Sequence, residues 1–464
     1  MPGTSAPPGP GPGPAAAPVA PFVPGGATVP PASVPLAFLA ASGVGLAGFG
    51  LAASLAAGRV VSAPTAPGAL AATHVGMLAF LTTAVLGAAH QFTPVVSRRP
   101  LRSVALARLT AVGMVATAWL LPTGFAHGPE DLVVVGGLLG AATVASAAWN
   151  LSGPLAARGG GVPLAGLRLS VAYLVVTVAF GVVYAFDRQA GWFPLLPHRV
   201  LAHAHLGLLG WLGLTYVSVA EKLWPMFLLA HRPRARAGAW AVGLLGAGSP
   251  VLAAGLLFGV PALAWPGGLA AAGGLGAHLV SLAGAVRHRR RPLELLHAFL
   301  FASAAFLVAA VVLAATAALA PLDTADRVRL VTAEIAALVA WLGLAVVGHA
   351  HKIVPFIAYT VLRRRGVAAA PSGRPLLFGD LFHHGTARAT CVVATAGFAG
   401  VLVGILAASP GAVAAGALGV SVAGVLATAT LATGPRRAVR ATRRAGPAPA
   451  RGATSGPAIP GRPS

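Results

Sequence analysis

From residue 34 to residue 433 the chain alternates between long apolar runs and short polar breaks. An apolar run of about 20 residues is long enough to cross a bilayer as a helix. Hydrocarbon offers no water to the backbone, so the peptide groups must satisfy one another within the segment, as a helix does. The runs are continuous rather than alternating, which excludes a membrane β-barrel. The pattern predicts an all-α membrane protein with twelve transmembrane spans at 34–57, 68–96, 103–125, 131–153, 163–186, 199–230, 237–259, 262–286, 293–320, 329–361, 384–408 and 410–433.

The polar residues inside those runs are periodic. Span 2 carries His74, Phe80 and Pro94; span 6 carries His205, Trp211 and Pro225; span 10 carries Trp341 and Pro355. Each aromatic precedes its proline by 14 residues, and each of the two histidines precedes its aromatic by six. Equivalent prolines are 131 and 130 residues apart, which predicts three pseudo-repeats of four helices. The two lysines, Lys222 and Lys352, share one repeat position, where span 2 has Gln91. One position earlier stand His90, Glu221 and His351. Polar residues at one depth in three equivalent helices predict a ring facing a common interior.

Charge fixes the orientation. The chain is 57% hydrophobic and 9% charged, far from a soluble domain, yet its formal net charge is +23. The breaks after even-numbered spans and the C-terminal tail hold 22 arginines; the breaks after odd-numbered spans hold five, matched by five acids. Positive charge stays on the cytoplasmic side, so a multi-pass protein of the plasma (inner) membrane with both termini cytoplasmic is expected. Arginines in short loops beside apolar spans suit anionic lipid headgroups, not nucleic acid, which needs a basic folded face with base-reading side chains. The segments 1–33, rich in Pro, Gly and Ala, and 435–464, rich in Arg and Pro, read as disordered cytoplasmic tails, the first lacking the basic start and apolar core of a signal peptide. Cys391 is the single cysteine, which excludes an internal disulfide, an iron–sulfur cluster and a cysteine-based zinc site.

The three marked stretches resemble a known family. THVGMLAF (73–80) is similar to the second-helix heme-ligand segment of subunit I of the heme–copper oxidase superfamily. HAHLGLLGW (203–211) sits where that family's sixth helix carries a copper ligand, and HAH (349–351) looks like the tenth-helix pair that serves two hemes. The resemblance extends over about 34–433 as twelve helices in three units of four, and is nearest to the NnrS-like or uncharacterised branch. It implies heme b, with copper as a further candidate, held by His74, His205, His349 and His351 as cofactor ligands and by His203, His205 and His90 as metal ligands. It departs from the oxidases in span 7, which has no histidine, and in lacking a tyrosine partnered with a copper histidine on span 6, so a full copper site is not expected.

The residues read on their own keep alternatives open. An imidazole in hydrocarbon is costly unless its lone pair is used, by iron, copper or zinc or by a hydrogen bond. By depth the polar groups form an outer layer of His74, His203 and His205 and an inner layer of His90, Glu221, Lys222, His278, His297, His349, His351 and Lys352. His203 and His205 lie about 200° apart around a helix and cannot share one ion, and the same holds for His349 and His351. His349 lies 14 residues beyond Ile335, the repeat equivalent of His74 and His205. At 1.5 Å per residue that is about 21 Å, so His74 and His351 can meet at one iron only if span 10 is broken or starts later than expected. Glu221, Lys222, Lys352 and Glu334 could line a polar pathway, although each lysine is also placed to snorkel to headgroups. Trp192, Trp224 and Trp265 are expected in an interfacial belt. GVGLAG (43–48) lies inside span 1 and reads as close helix packing, not dinucleotide binding. Three functions follow: a heme protein for electron transfer or nitric oxide handling, a heme-free transporter or copper- or zinc-handling protein, and a structural membrane subunit.

Overall fold

The computed structural model describes residues 29–230, 235–367, 369 and 374–444. His231, Arg232, Arg234 and most of both expected tails lie outside them. Among the described residues there is no strand, and twelve helices are long and apolar enough to cross a membrane. They run Ser33–Leu55, Pro67–Ser97, Val104–His127, Glu130–Leu155, Gly161–Ala190, Pro197–Leu228, Arg236–Phe258, Pro261–Arg287, Leu295–Leu319, Thr324–Arg364, His384–Leu406 and Pro410–Thr433, so every expected span is present. The chain is an all-α polytopic membrane protein. The helix of span 12 continues through Arg444, ten residues into the stretch read from sequence as tail.

Local chemistry sets several of the starts. Pro67, Pro197 and Pro261 occupy first turns, where a missing N–H costs nothing. The Ser103 hydroxyl accepts from the Leu106 N–H at 3.1 Å, and the Asp323 carboxylate accepts from the Asp326 N–H at 2.7 Å.

The three marked helices are the centre of the molecule. In spans 2, 6 and 10 the most apolar window is 72, 72 and 67% buried, against 22 to 44% in the other nine. Lipid must therefore be met mainly by nine helices arranged around three. Small residues bring neighbours close to this centre. In GVGLAG, a Cβ on Gly45 would collide with the Ala79 carbonyl of span 2, and one on Gly48 would lie 2.5 Å from the Trp119 ring of span 3.

Parts of the predicted repeat recur in the contacts, pairwise between units. Eight-residue π-helical segments begin directly after His74 (Val75–Thr82) and directly after His205 (Leu206–Gly213). Span 10, whose equivalent residue is Ile335, stays α-helical from Thr324 to Arg364. The Ser42 hydroxyl of span 1 donates to the Phe80 carbonyl at 3.0 Å, and the Ser303 hydroxyl of span 9 donates to the Trp341 carbonyl at 2.6 Å. His90 stacks on Phe38 with ring centroids 5.5 Å apart; His351 stacks on Phe299 at 5.4 Å. Each of these pairs is related by the same offset of 261 residues.

At mid-depth the three aromatics close a cycle. The Trp211 indole N–H donates to the Thr82 hydroxyl at 3.4 Å. A Cβ on Gly213 would lie 3.3 Å from the Trp341 ring, and one on Gly343 would lie 3.2 Å from the Phe80 ring. Thr82, Gly213 and Gly343 each stand two residues after the aromatic of their own repeat, so every aromatic packs on the same position of the next unit. Phe80, Trp211 and Trp341 are 1, 2 and 1% exposed.

Candidate functional site

The aromatic cycle separates the two polar layers. His74 and His205 come six residues before it in their helices; His90, Glu221, His349 and His351 come after it. Span 10 is an unbroken helix, so the depth separation expected from sequence holds, and the structure does not bring His74 and His351 to one centre.

In the outer layer His203 and His205 point to opposite sides of span 6, as two residues on one helix must. His203 faces His74, with ring centroids 6.5 Å apart and planes 25° from parallel, and Tyr184, whose ring it meets edge-on at 5.9 Å. Phe125 also stacks on His74, at 5.0 Å. His205 turns to span 10, where its Nε2 lies 3.1 Å from Glu334 Oε1 with both residues buried. Glu334 is therefore committed to an imidazole. Lys222, read with Glu334 as a pathway residue, is exposed near the other end.

The inner layer has a shared feature. His90, His349 and His351 each place Nδ1 2.8 Å from the carbonyl four residues earlier, at Leu86, Ala345 and Val347. Such a contact requires the hydrogen on Nδ1, which in the neutral ring leaves the lone pair on Nε2. All three Nε2 atoms are buried with no hydrogen-bond partner among the described residues. His349 lies against Tyr216 and Phe227 of span 6, at 5.9 and 6.3 Å; His351 faces the opposite way, onto Phe299 of span 9. His74 and His205 hold Nδ1 in the same way, on the carbonyls of Leu70 and Leu201.

Three expectations are corrected here. His90, Glu221 and His351 do not face a common interior: His90 packs on span 1, His351 on span 9, and Glu221 on span 8 through Ser281 at 2.8 Å. The cause is helical phase. These residues follow the central aromatics by ten, which places them about 80° away around the axis. Second, the four pathway residues are not continuous. Glu334 pairs with His205, Glu221 with Ser281, Lys352 with Glu294 at 2.5 Å, and Lys222 is exposed. Third, Trp224 is 2% exposed and meets His297 edge-on at 6.1 Å, whereas Trp192 and Trp265 are exposed as a belt requires.

Two neighbouring groups were not singled out as site residues from sequence. His278 of span 8 is fully buried, with Nδ1 3.7 Å from Glu221 Oε1 and Tyr216 edge-on at 5.5 Å. His297 accepts from the Glu294 N–H through Nδ1 at 2.8 Å, and Glu294 holds Lys352, so a surface ion pair is tied to the inner layer. Among the described residues no three His, Cys, Asp or Glu side chains converge as a metal centre. No protein-family profile matches the chain, and no curated protein is significantly similar to it.

Proposed function

We propose that this membrane protein binds a metallocofactor through His349 or His351 of its inner layer, and that the cofactor is b-type heme, with copper as a second metal. The use that fits is electron transfer or the handling of a diatomic gas such as nitric oxide. One observation carries the reading: His349 and His351, from one of the three stretches that resemble heme–copper oxidase subunit I, have Nδ1 fixed by carbonyls and Nε2 buried without a partner among the described residues. A carbonyl on Nδ1 fixes the tautomer and orientation of a ligating histidine, and imidazole is a ligand for heme iron and copper. Heme needs one or two axial donors, so the lack of a three-ligand cluster among the described residues is compatible with it. His349 or His351 would hold the iron, each with neighbours on its own side of span 10. When bound, heme would supply one-electron chemistry and affinity for a diatomic gas. The protein's own residues orient the imidazoles and keep bulk water away from them.

A pyridine hemochrome assay with metal analysis on the purified chain tests this. Stoichiometric heme, lost in His349→Ala or His351→Ala while the fold persists, supports it. A colourless, iron-free preparation from heme-replete cells overturns it.

A second reading is a heme-free transporter or copper- or zinc-handling protein. Its support is that Phe38 and Phe299 lie nearly parallel to the His90 and His351 rings, at 18° and 21°, and cover one face of each. Copper or zinc without heme would favour it. In both readings the arginine-rich end faces the cytoplasm of a plasma membrane and meets anionic headgroups.

A further inference from the structure

The buried pair Glu221 and His278 belongs to neither the imidazoles proposed to hold heme nor the surface ion pair. Its construction is specific. Glu221 Oε2 accepts from the Ser281 hydroxyl at 2.8 Å, which leaves Oε1 turned to His278. Gly238 of span 7 leaves room for this carboxylate, because a Cβ there would collide with Oε2. Oε1 has no hydrogen-bond partner among the described residues, nor does either nitrogen of His278. Oε1 and Nδ1 are 3.7 Å apart, too far for a hydrogen bond. No lysine or arginine is paired with Glu221 among the described residues; the adjacent Lys222 is exposed. One carboxylate oxygen and an imidazole thus face each other while held apart, without hydrogen-bond partners among the described residues, which is costly without a group between them.

We infer that Glu221 and His278 bind a divalent first-row metal cation of the zinc or copper(II) class. A cation about 2.1 Å from both atoms would subtend about 125° between them, within the range of an open, distorted tetrahedral site. The donors are one imidazole nitrogen and one carboxylate oxygen, the borderline set that zinc and copper(II) prefer over magnesium or calcium. Ser281 orients the carboxylate from behind. Water supplies the remaining positions, since no third His, Cys, Asp or Glu converges among the described residues. Glu221 lies seven residues from the end of its helix at Leu228, about 10 Å along the axis, so the cation enters from the arginine-rich end.

The test is zinc titration of the purified, chelator-stripped full chain against a competing dye, with heme content measured in the same preparations. One zinc site is expected. Glu221→Gln and His278→Gln should each weaken it more than about 100-fold, and Ser281→Ala about 10-fold, as removal of a ligand-orienting partner does. Zinc should raise the melting temperature of the wild type and of Ser281→Ala but not that of His278→Gln. Cobalt(II) in place of zinc should give visible ligand-field bands that vanish in His278→Gln. Wild-type zinc binding no tighter than that of the Glu221→Gln, His278→Gln double variant overturns the inference, as does unchanged binding in His278→Gln. Heme content is expected to be the same in all these variants, so failure here leaves the heme proposal standing, and failure of that proposal leaves this one.

Discussion

The Trp211 indole nitrogen lies 3.4 Å from the Thr82 hydroxyl, and this is the polar link in a cycle of three aromatics that otherwise close by ring-on-glycine packing. It joins spans 2 and 6, which are far apart in the chain and share no loop. Both partners are buried, so the bond has no competition from water.

Trp211→Phe keeps most of the packing and loses the bond. It should cost about 0.5–1.5 kcal/mol in detergent unfolding, and Trp211→Ala about 3–5 kcal/mol through the cavity it leaves. Thr82→Val should cost at least as much as Trp211→Phe, because it leaves the indole N–H buried without a partner. Equal stabilities for all three variants would show that the cycle is not a support of the fold.

The repeat can be tested at two glycines 261 residues apart. A Cβ on Gly87 would collide with Phe38, and one on Gly348 would lie 2.7 Å from Phe299 Cβ. Gly87→Ala and Gly348→Ala should each destabilise by about 1–3 kcal/mol through overpacking. Because the two phenylalanines support His90 and His351, both variants should also disturb those imidazoles, visible as lowered heme or metal content. A neutral outcome at either glycine contradicts the packing described.

Replacing an unsatisfied buried imidazole by an apolar side chain should stabilise the cofactor-free protein. His351→Leu and His90→Leu each remove an Nε2 without a hydrogen-bond partner among the described residues, for a gain of about 1 kcal/mol or more. Under the proposed function His351→Leu also lowers heme content. A variant that is more thermostable and colourless is the expected signature of a residue kept for ligation at the expense of stability. Loss of stability in both apo variants would point to a structural role for these rings.

His205 and Glu334 form a buried pair that should tolerate isosteric change poorly only when one partner is stranded. Glu334→Gln keeps a side-chain amide within hydrogen-bonding reach of His205 Nε2 and should change stability by less than about 1 kcal/mol, whereas Glu334→Leu leaves Nε2 unpaired for about 1–3 kcal/mol. His205→Leu strands the carboxylate and should cost more, about 3–5 kcal/mol. The order of the three melting temperatures is the measurement.

Orientation is checked by cysteine labelling, made simple because the one native thiol, Cys391, is buried. A cysteine at Arg289 should react with an impermeant maleimide only after cells are opened, and one at Trp192 in intact cells. The reverse pattern would invert the topology.

The twelve spans and the three repeats were legible because hydropathy and a six-and-fourteen residue spacing are properties of one helix at a time. The facing directions of His203 against His205 and of His349 against His351 were legible for the same reason. The partners were not, since each lies on another span: nothing in the order of residues ties Glu334 to His205, or His278 to Glu221. Equal depth on His90, Glu221 and His351 suggested a shared centre, but depth carries no phase, and the aromatics ten residues earlier hold that place. The π-helical segments after His74 and His205 left no hydropathy trace. A flanking histidine and glycines at 76, 207, 210 and 213 are the one hint, and span 10, without the histidine, lacks the π segment.

The aromatic collar also limits what can travel from one face of the molecule to the other. Three large rings, almost wholly shielded and each seated against the next central helix, fill this axis with side chains. Hydrated ions would have to pry the helices apart to pass along it. An electron needs no such opening, and a histidine on either side of the collar lies within a few helical turns of it.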